Sequence, residues 1–420
     1  MRILSVTAQK ADSTGSGVFL TELVRGFQKM GWDQAVICGT VEGETVSLPE
    51  GVRLFPVFYE CQELPFPVCG MSDEMPYRST RYRDLTEQMT QQLTDAFRAR
   101  ILETVKIFQP DVILCHHLYF AASLVRELCP GIPVYGQCHG SDLRQLAGNP
   151  WKRDWIISQI RKLDGILALH EVQKQTICAL FGVPEEQVSV VGTGFNSNVF
   201  YRDTQLYASR EDGKLRLIFA GKLSEKKGIF SLLRSLHYLK NPNDVELWLA
   251  GGCGNPEEYE SLCRMAQESP CQVRLLGKLT QQELAKCMNQ CDVFVLPSFF
   301  EGLPLVLIEA MACGLRVVCT DLPGIQAWLE GEIPQSGAVF VRPPRIRNED
   351  EPLKEDLPEF EKRLADAMEE AASRKLPDDE AVAAMSWDAL CRRLCGVFER
   401  KQLLRKNERI WHEQSNTCEN

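Results

Sequence analysis

The amino-acid sequence predicts an α/β fold of two doubly wound parallel sheets. β-rich runs alternate with helical patterns along the chain, and the alternation restarts after a polar stretch over 204–214. Runs such as 112–115 and 217–220 are apolar without interruption, as expected for parallel strands that are covered on both faces. With 420 residues, of which 44% are hydrophobic, the chain is long enough to bury two cores.

The same patterning predicts the domain boundaries. We expect a first domain over 1–203 and a second over 215–386, joined by the pattern-poor linker 204–214. A helix over 387–404 follows and is expected to return to the first domain. The remaining residues, 405–420, are predicted to be a disordered tail.

Composition excludes several classes of protein. A net charge of −10 and a pI of about 5.3 argue against a nucleic-acid partner. Seventeen cysteines, an odd number scattered through strands and helices, are typical of free thiols in a reducing compartment. We find no metal-binding spacing, no signal peptide and no apolar run of about 20 residues, and therefore expect no metal and a cytoplasmic location.

A glycine turn opens the first predicted helix. The strand over 2–7 is followed by Gly15 and Gly17, and the helix continues to about residue 31. Unpaired N–H groups at a helix N-terminus bind anions, so this turn is a candidate phosphate site. The alternative is that the glycines only permit close packing, and they do not complete a dinucleotide-binding fingerprint.

The second domain contains an apolar helix that carries two glutamates. A buried helix has little reason to carry a glutamate unless a partner compensates the charge. Two carboxylates at different depths in a site are suited to accept hydrogen bonds from two parts of one polyhydroxylated ligand. The alternative is a solvated glutamate in the turn and a second one paired with a structural arginine. The stretch runs from Glu301 to Glu309 through Gly302, Leu303, Pro304 and Leu305.

Lysines cluster in the first turn of the second domain. Gly221 and Lys222 follow the strand over 215–220, and Lys227 lies just before the next helix. Ammonium groups at such a position are suited to neutralise a departing diphosphate, although a solvated lysine turn is the simpler alternative. Another glycine turn, at Gly251, follows the next strand.

Histidines lie at the ends of two strands in the first domain. His117 follows the strand over 111–115, and His139 follows the strand over 134–138. Ligands of open α/β sheets bind beyond the carboxyl ends of the strands, so both histidines are candidate site residues. A lone histidine at a strand end is nevertheless most often structural.

These motifs resemble those of the retaining glycosyltransferases of family 4, also called glycosyl transferases group 1. The pair Glu301 and Glu309 is similar to the family's paired glutamates, and the segment over 221–228 resembles its "GRLxxxKG" motif. The resemblance covers nearly the whole chain, but its specific motifs lie over 215–341. It implies the GT-B fold, in which two Rossmann-like domains face a central cleft.

The resemblance also implies roles for single residues. Glu301 would bind the donor sugar, Glu309 the ribose, and Lys222 and Lys227 the phosphates. His139 would approach the donor sugar. The catalytic set implied is His139, Lys222, Lys227 and Glu301. The donor-binding set implied is Gly15, Gly17, Gly221, Gly251, Gly302, Leu303, Pro304, Leu305 and Glu309.

The chain departs from the family pattern at four places. Lys222 stands where the family has an arginine, and a lysine cannot form the bidentate hydrogen bonds of a guanidinium group. Asn196 and Gly252 stand where aspartates are usual, and the segment over 321–326 replaces a double glycine and glutamate.

The implied reaction is transfer of a sugar from a nucleotide-diphosphate sugar to an acceptor hydroxyl. The resemblance implies retention by a same-face route, without a metal or any other cofactor. We identify no residue suited to act as a covalent nucleophile. The alternatives are a nucleotide-sugar epimerase on the same fold and a non-catalytic protein that binds nucleotide sugars.

The acceptor side carries weaker signals. The irregular segment over 61–83 contains Tyr77, Arg78 and Arg81, which together with His117 are candidate acceptor residues; the alternative is a solvated surface loop. The acceptor is expected to be a saccharide, a lipid-linked molecule or a small metabolite. Tryptophans and basic residues over 151–162 either lie on the inner face of a membrane or pack inside the protein.

Overall fold

The computed structural model describes residues 1–72, 75–208, 213–301, 303–348 and 351–399. These residues form two compact units. Of the described residues, unit 1 comprises those over 1–192 and 387–399, and unit 2 those over 193–386. Gly302 and the predicted tail over 405–420 lie outside the described residues.

The strands of unit 1 form one main parallel sheet. They are β1 (Arg2–Val6), β2 (Asp33–Val41), β3 (Arg53–Tyr59), β4 (Cys69–Gly70), β5 (Thr80–Arg81), β6 (Val112–His116), β7 (Val134–Gln137), β8 (Gly165–Ala168) and β9 (Val188–Val190). In the described part of the chain the main sheet has the order β3-β2-β1-β6-β7-β8-β9, and β4 pairs with β5 outside it. The strand order reverses between β1 and β6, which is where ligands of doubly wound sheets bind.

Helices cover this sheet. They are α1 (Gly15–Lys29), α2 (Glu87–Phe108), α3 (Phe120–Leu128), α4 (Ser141–Gly148), α5 (Arg153–Ile160) and α6 (Glu171–Phe181). Because β6, β7 and β8 are buried along their whole length, both faces of the sheet are covered.

Unit 2 repeats this architecture. Its strands are β10 (Leu215–Ala220), β11 (Val245–Ala250), β12 (Gln272–Gly277), β13 (Val293–Leu296), β14 (Arg316–Thr320), β15 (Val339–Val341), β16 (Ile346–Arg347) and β17 (Glu351–Pro352). Its helices are α7 (Thr204–Ala208), α8 (Ile229–Ser235), α9 (Pro256–Gln267), α10 (Gln281–Met288), α11 (Leu305–Ala312), α12 (Ile325–Glu332), α13 (Leu357–Ser373) and α14 (Asp379–Ala383). The parallel sheet has the order β12-β11-β10-β13-β14-β15 within the described residues. The prediction of two parallel-sheet α/β domains is therefore confirmed.

The boundary between the units lies before the predicted linker. Phe195 and Phe200 belong to the hydrophobic core of unit 2, which places residues 193–203 in that unit rather than in the first domain. The predicted linker itself begins with helix α7, because the Asp203 carboxylate accepts hydrogen bonds from the backbone N–H groups of Gln205 and Leu206. Asp203 is an N-cap signal that sequence reasoning overlooked.

A last helix, α15, covers 387–399 of the described chain and packs within unit 1. Trp387 meets Phe19 of α1 edge to face, with ring centroids 5.1 Å apart. Cys391 lies against Gly26, where a Cβ atom would come closer to the Cys391 sulfur than van der Waals contact allows. The missing side chain of Gly26 thus lets α15 approach α1 closely.

The segment over 61–83 is not the solvated surface loop that the sequence left open as an alternative. Leu64, Phe66 and Val68 are buried in the core of unit 1, and so is Tyr82 near the end of the segment. The loop is irregular because β4 and β5 contribute only two residues each. The apolar side chains of this segment pack in the core of unit 1.

The tryptophans over 151–162 contact other side chains of unit 1. Trp151 donates to Thr90 Oγ1 at 2.9 Å and packs against Tyr82, while Trp155 donates to Glu127 Oε2 at 2.7 Å. This agrees with internal packing, and a membrane contact stays a prediction. Within the described residues, no helix combines the length and apolar character needed to cross a bilayer.

Candidate functional site

Two glycine turns of unit 2 touch at the carboxyl ends of β10 and β11. A Cβ atom on Gly251 would lie 1.8 Å from the carbonyl oxygen of Gly221, so position 251 has no room for a side chain. Gly221 N donates to Ala250 O at 3.0 Å, and Gly251 N donates to Gly277 O at 2.7 Å. The two turns are therefore locked side by side, with backbone close to any ligand at this edge of the sheet.

These turns line a cavity of about 490 Å³ at the ends of β10, β11 and β12. Lys222 is exposed on one side of it, and Lys278 follows β12 on the other. Both lysines place ammonium groups beside the glycine backbone. The cavity is therefore suited to an anionic or strongly polar ligand.

Lys227 and Glu301 meet directly. Lys227 Nζ lies 2.7 Å from Glu301 Oε1, and both side chains are partly buried, at 30% and 13% exposure. Lys227 is held by a 3₁₀ turn before α8, and the turn depends on Gly228, whose φ of 69° is left-handed. This ion pair therefore connects the turn after β10 with the turn after β13.

Glu309 lies on α11 without a partner. The described structure shows neither a hydrogen bond nor an ion pair for its carboxylate, so the predicted alternative of a structural arginine is not realised. Burial raises the pKa of Glu309 from 4.5 to about 7. Leu305, the first residue of α11, follows Pro304, which as N-cap offers no side-chain hydrogen bond. Leu303 is partly buried just before Pro304.

We expect Glu309 to destabilise the protein increasingly between pH 4.5 and 7. In this window the unfolded carboxyl has lost its proton while the folded one retains it, so stability falls as pH rises. The full shift corresponds to about 3 kcal/mol, and partial solvent exposure reduces it to about 1–2 kcal/mol. Glu309→Gln should therefore raise the melting temperature more at pH 8 than at pH 4.5.

A matched control for this prediction is Glu283→Gln. Hydrogen bonds from the Thr280 backbone and hydroxyl lower the pKa of Glu283, so its contribution to stability is lost as pH falls. Its removal should cost more at pH 8 than at low pH. Equal changes at both pH values for Glu309→Gln would show that burial does not perturb this carboxyl.

A second cavity adjoins Glu301 at the ends of β13, β14 and β15. It encloses about 930 Å³ and is lined largely by apolar side chains. Phe299 and Phe300 lie beside Glu301, and the segment over 321–324 forms the opposite wall. The segment over 321–326, which departs from the family pattern, therefore contributes five residues to the lining of this cavity.

Three histidines of unit 1 form a contact cluster. His116 Nδ1 lies 3.3 Å from His139 Nε2, and the rings of His117 and His139 are 4.8 Å apart. His117 adopts a left-handed φ of 74°. The buried Asp142 carboxylate accepts backbone N–H groups from Leu118 at 2.8 Å and His139 at 3.3 Å. It thereby ties together the loops after β6 and β7.

Burial keeps these imidazoles neutral. It lowers the pKa of His116 to about 3 and that of His139 well below its usual range. The neighbouring histidines act in the same direction on both groups. Burial also lowers the pKa of His117, although the negative charge of Asp142 acts in the opposite direction. At pH 7 the cluster can exchange hydrogen bonds with hydroxyl groups but does not carry a stable charge.

The two glycines at the start of α1 have different surroundings. A Cβ atom on Gly17 would lie 2.8 Å from the carbonyl oxygen of Ala11, so Gly17 serves close packing. Gly15 has open space around the same position. Thr14 caps the helix by accepting from Gly17 N at 3.1 Å.

The predicted acceptor residues are spread over unit 1. The Tyr77 ring lies 5.1 Å from Lys10 Nζ, and its buried hydroxyl has no hydrogen-bond partner. Arg78 is 83% exposed, with Glu60 at 4.0 Å. Arg81 Nε donates to Asp84 Oδ2 at 2.6 Å, and Arg81 lines a small cavity together with Arg83 and Arg144.

Sequence reasoning missed two groups of residues. Lys278 directly follows the strand over 272–277, so the strand-end rule that selected Lys222 also applies to it. Arg83, Arg144 and Asn149 come from segments that are far apart in sequence and meet only in the folded unit. No local spacing signals that meeting.

Groups of three or more side chains suited to hold a metal ion are not found among the described residues. Sixteen cysteines of the described chain are free thiols, as the sequence predicted.

Two parallel-sheet units with these strand-end turns define the GT-B class of glycosyltransferase folds. Sucrose-phosphate synthase from Thermosynechococcus elongatus superposes with a TM-score of 0.64 at 16% identity, over 97% of this chain and all of that one. Anabaena Alr3699/HepE in complex with UDP superposes with a TM-score of 0.62 at 15% identity, over 95% of this chain and all of that one. At these identities the likeness shows the fold alone.

The chain belongs to glycosyltransferase family 4. Residues 13–199 match the family described as Glycosyltransferase Family 4, and residues 214–348 match the family described as Glycosyl transferases group 1. The uncharacterized glycosyltransferase MJ1607 of Methanocaldococcus jannaschii is 24% identical over 238 residues. The match covers 53% of this chain and 60% of that protein, so the chain spans about three-fifths of this relative's length. The family predicted from the paired glutamates is confirmed.

Proposed function

We propose that this protein transfers a glycosyl group from a nucleotide-diphosphate sugar to an acceptor hydroxyl, with retention of the anomeric configuration. The observation that carries the proposal is the meeting of Lys227 and Glu301, which belong to the turns after β10 and β13. A cation for the diphosphate and a carboxylate for sugar hydroxyls lie within 2.7 Å of each other. The HepE relative was solved with UDP, a ligand of the same chemical class.

The proposed step breaks the bond between the anomeric carbon and a diphosphate oxygen. The acceptor oxygen attacks the same face, and its proton passes to the departing phosphate. Negative charge grows on the leaving group, and Lys222, Lys227 and Lys278 supply positive charge toward it. We assign this role to lysines instead of a divalent cation, so turnover should persist in EDTA.

Glu301 and Glu309 divide the donor between them in this proposal. Glu301 accepts hydroxyl groups of the sugar while its ion pair with Lys227 keeps both groups in place. Glu309, whose carboxylate has no partner among the described residues, accepts the ribose hydroxyls. A ligand that supplies two hydrogen bonds offsets the cost of burying this carboxylate.

The test is thermal stabilisation by a panel of nucleoside diphosphates and nucleotide sugars. We expect one nucleotide sugar to raise the melting temperature by mass action, and Lys227→Ala and Glu309→Ala to abolish that shift. Arg98→Gln, an exposed position on α2 with Glu127 at 3.5 Å, serves as control and should keep it.

The outcomes also separate the rival functions. Binding without release of nucleoside diphosphate, for every acceptor tried, would favour a non-catalytic protein. A change of the sugar without any acceptor would favour an epimerase. No shift with any nucleotide would remove the support for a donor site in unit 2.

A further inference from the structure

The cavity that adjoins Glu301 differs in character from the lysine-rich glycine turns of unit 2. Of its described lining residues, eight carry apolar side chains and none is a lysine, an arginine or a histidine. Its volume of about 930 Å³ lies at the upper end of the range of about 300–1,000 Å³ that is usual for sites of whole small molecules. The cavity is therefore suited to a ligand with a large apolar body.

Two walls of this cavity are held in place by contacts with other parts of unit 2. The ring of Phe299 packs against Phe360 of α13, with ring centroids 5.6 Å apart. Arg345, in the wall segment over 343–346, donates to Asp356 Oδ2 from its backbone N at 3.0 Å and from its Nε at 2.7 Å. Prolines and packed aromatic rings lose little conformational freedom when a ligand binds, so the cavity is largely preformed.

The opposite wall is formed by the segment in which the chain departs from the family pattern. Asp321 N donates to Val341 O at 2.9 Å, which holds the start of this segment against β15. Leu322 and Pro323 follow, and Ala327 lines the cavity from an exposed position on α12. A double glycine and a glutamate would offer no apolar side chain here. The apolar character of this wall is thus a property of this chain.

The polar part of the cavity is acidic. Asp321, Glu330 and Glu301 all line it, and the described structure shows neither a hydrogen bond nor an ion pair for the Asp321 carboxylate. Glu330 Oε1 accepts from the neutral amide of Gln326 at 2.7 Å, while Glu301 is paired with Lys227. Because like charges brought together are costly, this lining disfavours a phosphate or any other anionic ligand.

The cavity borders the place where the donor sugar is proposed to bind. The sheet order β12-β11-β10-β13-β14-β15 puts the glycine turns at one end of the sheet edge and this cavity at the other. Glu301, which follows β13, lines the cavity and contacts Lys227 of the turn after β10. A hydroxyl group at the Glu301 side of the cavity therefore lies next to the sugar that Glu301 is proposed to hold.

We propose that this cavity binds the apolar body of a neutral, ring-containing alcohol and, resting on the glycosyl transfer proposed above, that this alcohol is the acceptor. Rigid rings match walls of proline and phenylalanine better than a flexible chain does, because a chain loses more conformational freedom on binding. The hydroxyl oxygen of the alcohol forms the bond to the anomeric carbon, the bond from that carbon to the diphosphate oxygen breaks, and the hydroxyl proton passes to the departing phosphate.

The first experiment measures binding of 2-naphthol, which is uncharged at pH 7, to the full-length protein by equilibrium dialysis. Ala327→Trp fills the cavity from an exposed position and should weaken binding about tenfold or more through steric exclusion. Ala327→Ser should bind as the wild type does. Ala99→Trp, the same change at an exposed position on α2, is the matched control and should also keep the affinity. Unchanged affinity of Ala327→Trp, or no binding to the wild type, would overturn the proposal.

Two further ligands test the charge and the shape of the occupant. The anion 2-naphthoate has the same ring system and should bind about tenfold more weakly than 2-naphthol, and Asp321→Asn should narrow this difference. The flexible alcohol 1-octanol should displace 2-naphthol only at higher concentrations than unlabelled 2-naphthol does. Equal binding of the anion would contradict selection by the carboxylates, and tighter binding of 1-octanol would assign the cavity to an alkyl chain.

Nucleotide binding distinguishes a failure of this proposal from a failure of the glycosyl transfer. Ala327→Trp should keep the thermal shift given by the donor, and Lys222→Ala should keep the affinity for 2-naphthol. With donor present, the wild type should form a 2-naphthyl glycoside, detected by mass spectrometry, and Ala327→Trp should not. Donor binding without 2-naphthol binding would overturn this proposal alone. Binding of 2-naphthol without a shift from any nucleotide would remove the transfer reaction and, with it, the acceptor role.

Discussion

Lys227→Ala is expected to slow release of the nucleoside diphosphate about 10²–10³-fold, the range seen when a single group aimed at developing charge is removed. In the proposed reaction Lys227 faces the place where negative charge grows on the leaving group, and its ion pair with Glu301, at 2.7 Å, fixes its position. The loss should appear in kcat/KM, because Lys227 contributes both to donor binding and to stabilising the charge that grows in the transition state.

Hydrolysis of the donor selected in the binding panel measures this effect without knowledge of the acceptor. Lys227→Arg, which keeps the charge, should recover part of the rate. Lys240→Ala removes the same charge from an exposed ion pair with Glu369 in the same unit and should leave the rate unchanged. A rate for Lys227→Ala within twofold of the wild type would refute the assigned role.

Gly251→Ala is expected to destabilise the protein by about 3 kcal/mol or more, since a side chain there requires the backbone to move. The new Cβ would lie 1.8 Å from the Gly221 carbonyl oxygen, and the φ of 151° is one that side-chain-bearing residues rarely adopt. Displacing either turn also separates Lys222 from the glycine backbone, so donor binding should weaken as well.

Gly331→Ala is the matched control for Gly251→Ala. Gly331 lies in α12, has open space where a Cβ would be, and should gain up to about 1 kcal/mol from the better helix propensity of alanine. Denaturant unfolding of both variants measures the difference. Wild-type stability of Gly251→Ala would mean that the two turns are not locked together.

The parts of the fold that the sequence predicted are those with a local physical signal. Strands such as Val293–Leu296 are continuous apolar runs because helices cover both faces of a parallel sheet. Helix α11 was expected because Pro304 and Gly314 mark its two ends. Glu309 was singled out because a carboxylate on an apolar helix conflicts with its surroundings, and its role as a ligand-binding residue stays a prediction.

The parts that the sequence did not predict arise from strand order and packing. Lys222 and Lys278 become neighbours because β11 lies between β10 and β12, an order that no spacing reveals. His116 meets His139 because β6 pairs with β7 in a register that aligns His116 with Gln137. The cavity of Arg81 and Arg144 likewise depends on how the segment over 61–83 folds against α4.

The discontinuous make-up of unit 1 bears on how the chain emerges from the ribosome. Domains tend to fold as they are synthesised, from the N-terminus onward. Helix α15 supplies Trp387 against Phe19 and Phe398 against Tyr135, yet residues 193–386 are translated first. Until then the nascent first unit exposes the apolar side of α1. A chaperone that covers this apolar surface during translation would be displaced when α15 packs against α1.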